Sequence, residues 1–208
     1  MTSLTEFTQL LIATHNQGKL AEIRNILADL PVRVLGISDL PPEVQSKIVE
    51  PEEPFDTYQE NAEVKARTIA QIANLPTLAD DSGLEVTALP GELGVHSKRF
   101  APGSDADRVS ALLERLESAQ DRSATFTSVL ALYLPEKDET LFFTGKINGE
   151  IMHQPTGANG FGFDPVFRPN GYELSFAEMS AEEKNKISHR AIALHAFADW
   201  VRSMVTDH

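Results

Sequence analysis

A chain of 208 residues, 41% of them hydrophobic, has enough apolar side chain for a real core, in one large domain or one domain with a lobe. Its 18 basic and 31 acidic residues leave a net charge of -13, which repels nucleic acid polymers and anionic membranes, so a polyanionic ligand must be met by a local cluster of cations or by a metal. There is no cysteine, which excludes disulfides, thiol nucleophiles and cysteine-held metal centres. No stretch approaches the ~20 apolar residues of a membrane span, and the N-terminal apolar run is shorter than the ~7–15 of a signal peptide, so a cytoplasmic protein is expected.

In chain order, the continuous apolar run at 9–14 predicts a short buried strand ending in a polar turn, Thr14-His15-Asn16-Gln17-Gly18-Lys19. Leu20, Ile23, Leu27 and Leu30 lie at helical spacing and predict a helix over 18–30, stopped by Pro31; 32–37 reads as a second strand. Strand, helix, strand indicates a parallel crossover and an α/β fold. A turn of this kind gathers backbone N–H groups at the positive end of a helix dipole, and Lys19 adds a full charge, which suits a phosphate. It is not a Walker A loop, whose first glycine would fall at Ala13. A polar turn with a solvated lysine fits the same residues.

Residues 38–55 are rich in proline and acidic side chains and predict an irregular segment. Its acidic run, Glu50 to Glu53, reads as a solvated loop unless one glutamate completes a magnesium site. A helix over 56–74 follows, with Ala62, Ala66, Ile69, Ala70 and Ala73 as its apolar stripe and Asn61 and Lys65 sharing a face beside it. Residues 76–88 read as strand, turn, strand around Asp80-Asp81-Ser82-Gly83. Adjacent carboxylates at a strand end can hold Mg2+ or take a proton from an attacking water, and side-chain alternation lets only one of them enter a site. The same four residues are also ordinary turn formers.

Ser104 is the predicted N-cap of a helix over 104–118, and 124–134 and 139–147 alternate as paired strands. The loop at 155–171 carries Gly157-Ala158-Asn159-Gly160-Phe161-Gly162-Phe163-Asp164-Pro165. Its glycines allow close approach of a ligand, and its phenylalanines offer either a stacking surface for a base or core aromatics. A last helix is predicted over 188–204, capped by Ser188 and packed through Leu194, Phe197, Ala198 and Val201. His189 and Arg190 then sit in its first turn, where positive charge opposes the dipole. With Lys184, that misfit points either to an anion or the oxo face of a base, or to a basic helix end paired with glutamates. His15, His96, His153, His195 and His208 lack metal-ligand spacing.

Taken in this order, the stretches LLIATHNQGKLAEI, YQENAEVKA, LADDSGLEV, GANGFGFDPVF and MSAEEKNKISHRAIAL resemble the inosine/xanthosine triphosphate pyrophosphatase family, which acts on non-standard purine nucleotides. They span 10–194, nearly the whole chain. The resemblance implies a single domain over 1–208 with an α/β fold: an elongated mixed sheet, flanking helices, and two lobes with a nucleotide cleft between them. It implies a homodimer, Mg2+ as cofactor, and hydrolysis of ITP, dITP and XTP to the monophosphate and pyrophosphate, cleansing the nucleotide pool.

Carried over by motif, Thr14, His15, Asn16, Gln17, Gly18 and Lys19 cradle the triphosphate, and Lys65 reaches the phosphates. Asp81 is the catalytic carboxylate and a metal ligand together with Glu53, or with its neighbour Glu52; Ser82 lies beside it in the substrate site. Phe161, Gly162, Phe163 and Asp164 wrap the base, with Phe161 as the stacker, and Lys184, His189 and Arg190 match basic substrate-binding positions. The family's E-T-G is Glu53-Pro54-Phe55 here, and Phe163 replaces a tyrosine or tryptophan, keeping an aromatic wall without its polar contact. Two other readings use the same residues: a pyrophosphatase for another modified nucleotide, and a non-catalytic nucleotide sensor, which has no need of Asp81 and its acidic partner.

Overall fold

The structure is a computed structural model that describes residues 8–49 and 51–206; Glu50 of the acidic run and His208 lie outside them. In chain order the elements are β1 (Gln9–Ile12), α1 (Gln17–Ile26), β2 (Arg33–Gly36), α2 (Pro42–Gln45), α3 (Tyr58–Ala73), β3 (Thr77–Val86), α4 (Asp105–Arg115), β4 (Ser123–Leu134), β5 (Glu139–Ile151), β6 (Phe167–Pro169), α5 (Ala181–Ile187) and α6 (His189–Thr206). The strands form one sheet in the order β2-β1-β3-β4-β5-β6. β1 runs parallel to β2, with Leu11 opposite Leu35, and parallel to β3, with Ile12 opposite Leu78. β6 is antiparallel to β5, so the sheet is mixed and the expected crossover is present.

The chain divides into two compact units: Met1–Asp81, Val129–Thr144 and Ala193–His208 in the first, Ser82–Ser128 and Gly145–Ile192 in the second. In the first, β1 is covered on both faces, which is why its sequence is a continuous apolar run rather than an alternating one. Leu10 and Ile12 pack with Leu20, Ile23 and Leu27 of the α1 region and with Leu194, Phe197 and Val201 of α6. Leu11 and Ala13 pack on the other side with Ala62, Ala66, Ile69 and Ala70 of α3. The second unit has its own core, in which Leu84, Leu112, Phe126, Phe167 and Phe176 meet. There the Arg122 guanidinium donates to the carbonyls of Leu116, Ile151 and Met152, tying the end of α4 to the end of β5.

Four expectations change. The Asp-Asp-Ser-Gly stretch is not a turn: β3 passes straight through it. Turn propensity yields because β3 lies between β1 and β4, where ladder hydrogen bonds satisfy the backbone. Gly83 is there for close approach, since a Cβ would lie 2.0 Å from the Gly94 carbonyl oxygen. Because that obstacle is backbone, Gly83→Ala is expected to destabilise by at least the ~1–3 kcal/mol of overpacking, read as a lower midpoint in thermal or urea unfolding. Second, the irregular segment after β2 contains a one-turn helix, α2, begun by Pro42. Third, the glycine-rich loop ends in the short strand β6. Fourth, a separate helix, α5, precedes α6 and is begun by a capping box of Ser180 and Glu183. Ser188 caps α6 as expected, its Oγ accepting the Ala191 N–H at 3.1 Å.

Candidate active site

In the first unit, the turn after β1 is shaped by its own side chains. Thr14 Oγ1 accepts the Asn16 N–H at 3.1 Å, and Asn16 Oδ1 caps α1 by accepting the Lys19 N–H at 3.0 Å. Gln17 and Gly18 thus begin α1, where helix geometry leaves N–H groups without carbonyl partners. His15, Asn16, Gln17 and Gly18 are exposed, and Thr14 and Lys19 are half-buried.

Alternation along β3 then sorts two carboxylates. Leu78 faces the α1 side and Ala79 the α3 side, so Asp80 and Asp81 face opposite sides as well. Asp80 Oδ2 meets Lys19 Nζ of α1 at 2.8 Å. Asp81 lies in the field of Lys65 of α3, whose Nζ also donates to the Asp80 carbonyl at 3.3 Å. Lys65 forms an ion pair with Glu53, whereas Glu52 is exposed. Asn61 places Glu53: its amide accepts the Phe55 N–H and donates to the Phe55 carbonyl, each at 3.0 Å, fastening the acidic segment to α3 one turn before Lys65.

The electrostatics follow from that burial. Asp80 and Asp81 are 6% and 5% exposed. Burial pushes the Asp81 carboxyl up to about 6; Lys65 and Lys19 oppose the rise, and Glu53 and Asp80 add to it. Burial alone would lower the Lys65 ammonium, but Glu53, then Asp81 and Asp80, hold it above its ordinary value. The result is a carboxyl that gains and loses its proton near neutral pH, beside a lysine that stays charged. Among the described residues, no three histidine, aspartate or glutamate side chains are arranged to enclose an ion by themselves.

The second unit gathers cations and aromatic rings. Asp164 and Lys184 form a buried pair at 2.6 Å, and Asp164 Oδ2 also accepts the Phe161 N–H at 2.9 Å. The half-buried Phe161 ring lies 4.9 Å from Lys184 Nζ and 5.4 Å from Arg190 Cζ, within cation–π range of both. Arg190, 2% exposed, donates to Ser82 Oγ at 3.1 Å. His189 is stacked on Phe126, with centroids 4.5 Å apart and planes 7° from parallel. Phe163, expected to flank the base, is turned into the core instead, edge-on to Phe100 at 6.4 Å. In Phe161-Gly162-Phe163 the two rings therefore have different work: one is accessible and the other anchors the loop.

The structure thus brings together Lys19, Glu53, Lys65 and Asp81 in one unit, and Ser82, Phe161, Asp164, Lys184 and Arg190 in the other, with His189 beside Arg190 at the start of α6. Sequence reasoning gave no role to Asp80 as the partner of Lys19 or to Asn61 as the clasp for Glu53. Strand alternation could have signalled the first, had β3 been read as unbroken. No sequence pattern marks a side chain that bonds a distant backbone.

Comparison with known proteins finds relatives along nearly the whole chain. A model of the Ham1 family matches residues 10–200. A dITP/XTP pyrophosphatase of Symbiobacterium thermophilum is 46% identical over 189 residues, which cover 89% of this chain and 91% of that protein. One from Deinococcus radiodurans is 42% identical over 192 residues, 92% of each chain. The solved structure of a Ham1 protein from Coxiella burnetii superposes with a TM-score of 0.83 at 39% identity, covering 95% of this chain and 100% of that one.

Proposed function

Because this chain belongs to the Ham1 family, we propose that it is a nucleoside triphosphate pyrophosphatase that converts the non-standard purine nucleotides ITP, dITP and XTP to the monophosphate and pyrophosphate. Its curated relatives are named for the dITP and XTP activities. The observation that carries the reading is the buried Asp81 carboxyl, poised at about 6 in a cluster with Lys65, Glu53 and Lys19. A base with a pKa near the working pH is suited to drawing a proton from a water that attacks the α-phosphorus. Lys19 and Lys65 stabilise charge on the transferring and leaving phosphates, and the N–H groups at the start of α1 add fixed dipoles.

The donor set fits Mg2+. The carboxylates are hard oxygen ligands, and Mg2+ is commonly held by one or two of them, with phosphate and water completing the shell. Glu53 and Asp81 hold it in this reading, and when bound it neutralises phosphate charge. Phe161 stacks on the base. The donors Arg190 and His189 meet an oxygen at the purine 6-position, which ITP and XTP carry and ATP does not. Setting a donor against the adenine amino group strands both, at ~1–3 kcal/mol, or roughly 10- to 100-fold in selectivity. The same reading makes the protein a cytoplasmic homodimer that cleanses the nucleotide pool.

The test is pyrophosphate release from ITP, XTP, GTP and ATP, each with Mg2+ and with EDTA. Turnover of ITP and XTP at least tenfold above ATP, lost in EDTA, is the expected result. Equal rates on all four would discard base selection while keeping the chemistry, and nucleotide binding without any turnover would make the protein a sensor.

A further inference from the structure

The backbone on each side of Phe161 is held by a different carboxylate. The peptide before it is fixed by its own N–H, which donates to Asp164 Oδ2 at 2.9 Å. The peptide after it is fixed by the Gly162 N–H, which donates to Asp105 Oδ2 at 2.7 Å. Since φ and ψ are the only soft backbone dihedrals of a residue, anchoring the two flanking peptide planes sets where the Phe161 ring springs from. Gly162 has φ 63°. A Cβ there would meet nothing within 4 Å, so glycine is needed for the left-handed backbone and not for space.

Asp164 belongs to the loop it holds; Asp105 reaches it from another element. Asp105 is the first residue of α4, but α4 does not need it as a cap, because Ser104 and Asp107 complete a capping box between them. One of its oxygens pairs with Arg108 and the other takes the Gly162 N–H. Partial burial opposes its ionisation, yet the Gly162 N–H and Arg108 outweigh that and hold the carboxyl below the ordinary carboxylate range.

We propose that Asp105 is a positioning residue for the substrate: through the Gly162 N–H it presets Phe161 as the platform on which the purine stacks. The inference rests on the assignment of Phe161 to the base. Without Asp105 the loop must be ordered when the nucleotide binds, so the loss falls on affinity for the base and not on chemistry at the phosphates.

The experiment compares Asp105→Ala, Asp105→Asn and Arg108→Ala with wild type. Asparagine keeps an acceptor for the Gly162 N–H and loses the charge; Arg108→Ala removes the ion pair and keeps the acceptor. Asp105→Ala is expected to raise KM for XTP about five- to tenfold with kcat little changed, the order expected when one residue's backbone freedom must be given up on binding. Inhibition by inorganic triphosphate, which lacks a base, stays as in wild type. Asp105→Asn and Arg108→Ala stay near wild type in KM. Amide hydrogen exchange over 157–164 is faster in Asp105→Ala and normal in Asp105→Asn, a readout that needs no turnover. An unchanged KM in Asp105→Ala, or an asparagine variant as impaired as the alanine one, overturns the proposal. Failure of the functional reading itself shows in wild type alone, as a lack of preference for XTP over ATP.

Discussion

Asp81→Asn is expected to lose about 10²–10⁴-fold in kcat, the usual contribution of a general base. Its fold should nevertheless become more stable at neutral pH. The Asp81 carboxyl moves from 3.8 in the unfolded chain to about 6 in the fold, chiefly because burial penalises its charge. A proton bound more tightly by the folded state stabilises it fully below the unfolded value, and that stability is lost as pH rises through about 6. At ~1.4 kcal/mol per pH unit the cost above that point is about 3 kcal/mol at most, and asparagine removes it. In EDTA, denaturant unfolding should therefore show wild type losing stability between roughly pH 4 and 7 relative to the variant, with the two converging at lower pH. A variant retaining activity within a few-fold of wild type would remove Asp81 from the chemistry. A variant no more stable at pH 8 would mean that its charge is compensated by the neighbouring lysines.

Asp164→Ala should be the most damaging substitution for stability. Its carboxylate and the Lys184 ammonium are 4% and 6% exposed at the side chain and meet at 2.6 Å. Breaking a buried pair from one side leaves the other charge without compensation, at ~3–5 kcal/mol. The Phe161 N–H loses its acceptor as well. For a chain of this size that corresponds to a fall of roughly 6–20 °C in Tm. Pairing the change with Lys184→Met should recover much of the loss, since an apolar replacement of both partners is often neutral. Substrate affinity should not recover, because the Phe161 N–H still lacks its acceptor and the Lys184 ammonium is gone as well. A single variant that loses less than about 1 kcal/mol would mean that water reaches the pair.

The most legible part of the sequence was the start, and the reason is physical. A parallel strand covered on both faces needs an unbroken apolar run, and the helix after it needs apolar residues at helical spacing; Leu10 to Leu27 satisfy both. Asp80 to Gly83 misled because their turn propensity is weak beside the ladder bonds of a central strand. α5 escaped because seven residues without an apolar stripe give no periodicity to read, although Ser180 and Glu183 already spelled its capping box. In the candidate site, the charged residues could be named from their motifs, but their pairings went unread, and only that of Lys19 with Asp80 had a signal, in the alternation along β3. Lys19 with Asp80, Glu53 with Lys65 and Asp105 with the Gly162 amide join distant parts of the chain. Phe161 and Phe163 are chemically the same, and only the packing of Phe163 against Phe100 separates them.

The interleaving of the two units along the chain has a consequence for synthesis. Every residue of the second unit's core, from Leu84 to Met179, is synthesised before the last pieces of the first unit's core, Leu194, Phe197 and Val201. Leu10, Leu20 and Ile23 must therefore wait for their partners on α6, roughly 10–40 s at ~5–20 residues per second. During translation the side of β1 and α1 that faces α6 is among the last apolar surfaces to be covered, whereas Leu11 and Ala13 find their partners on α3 far earlier.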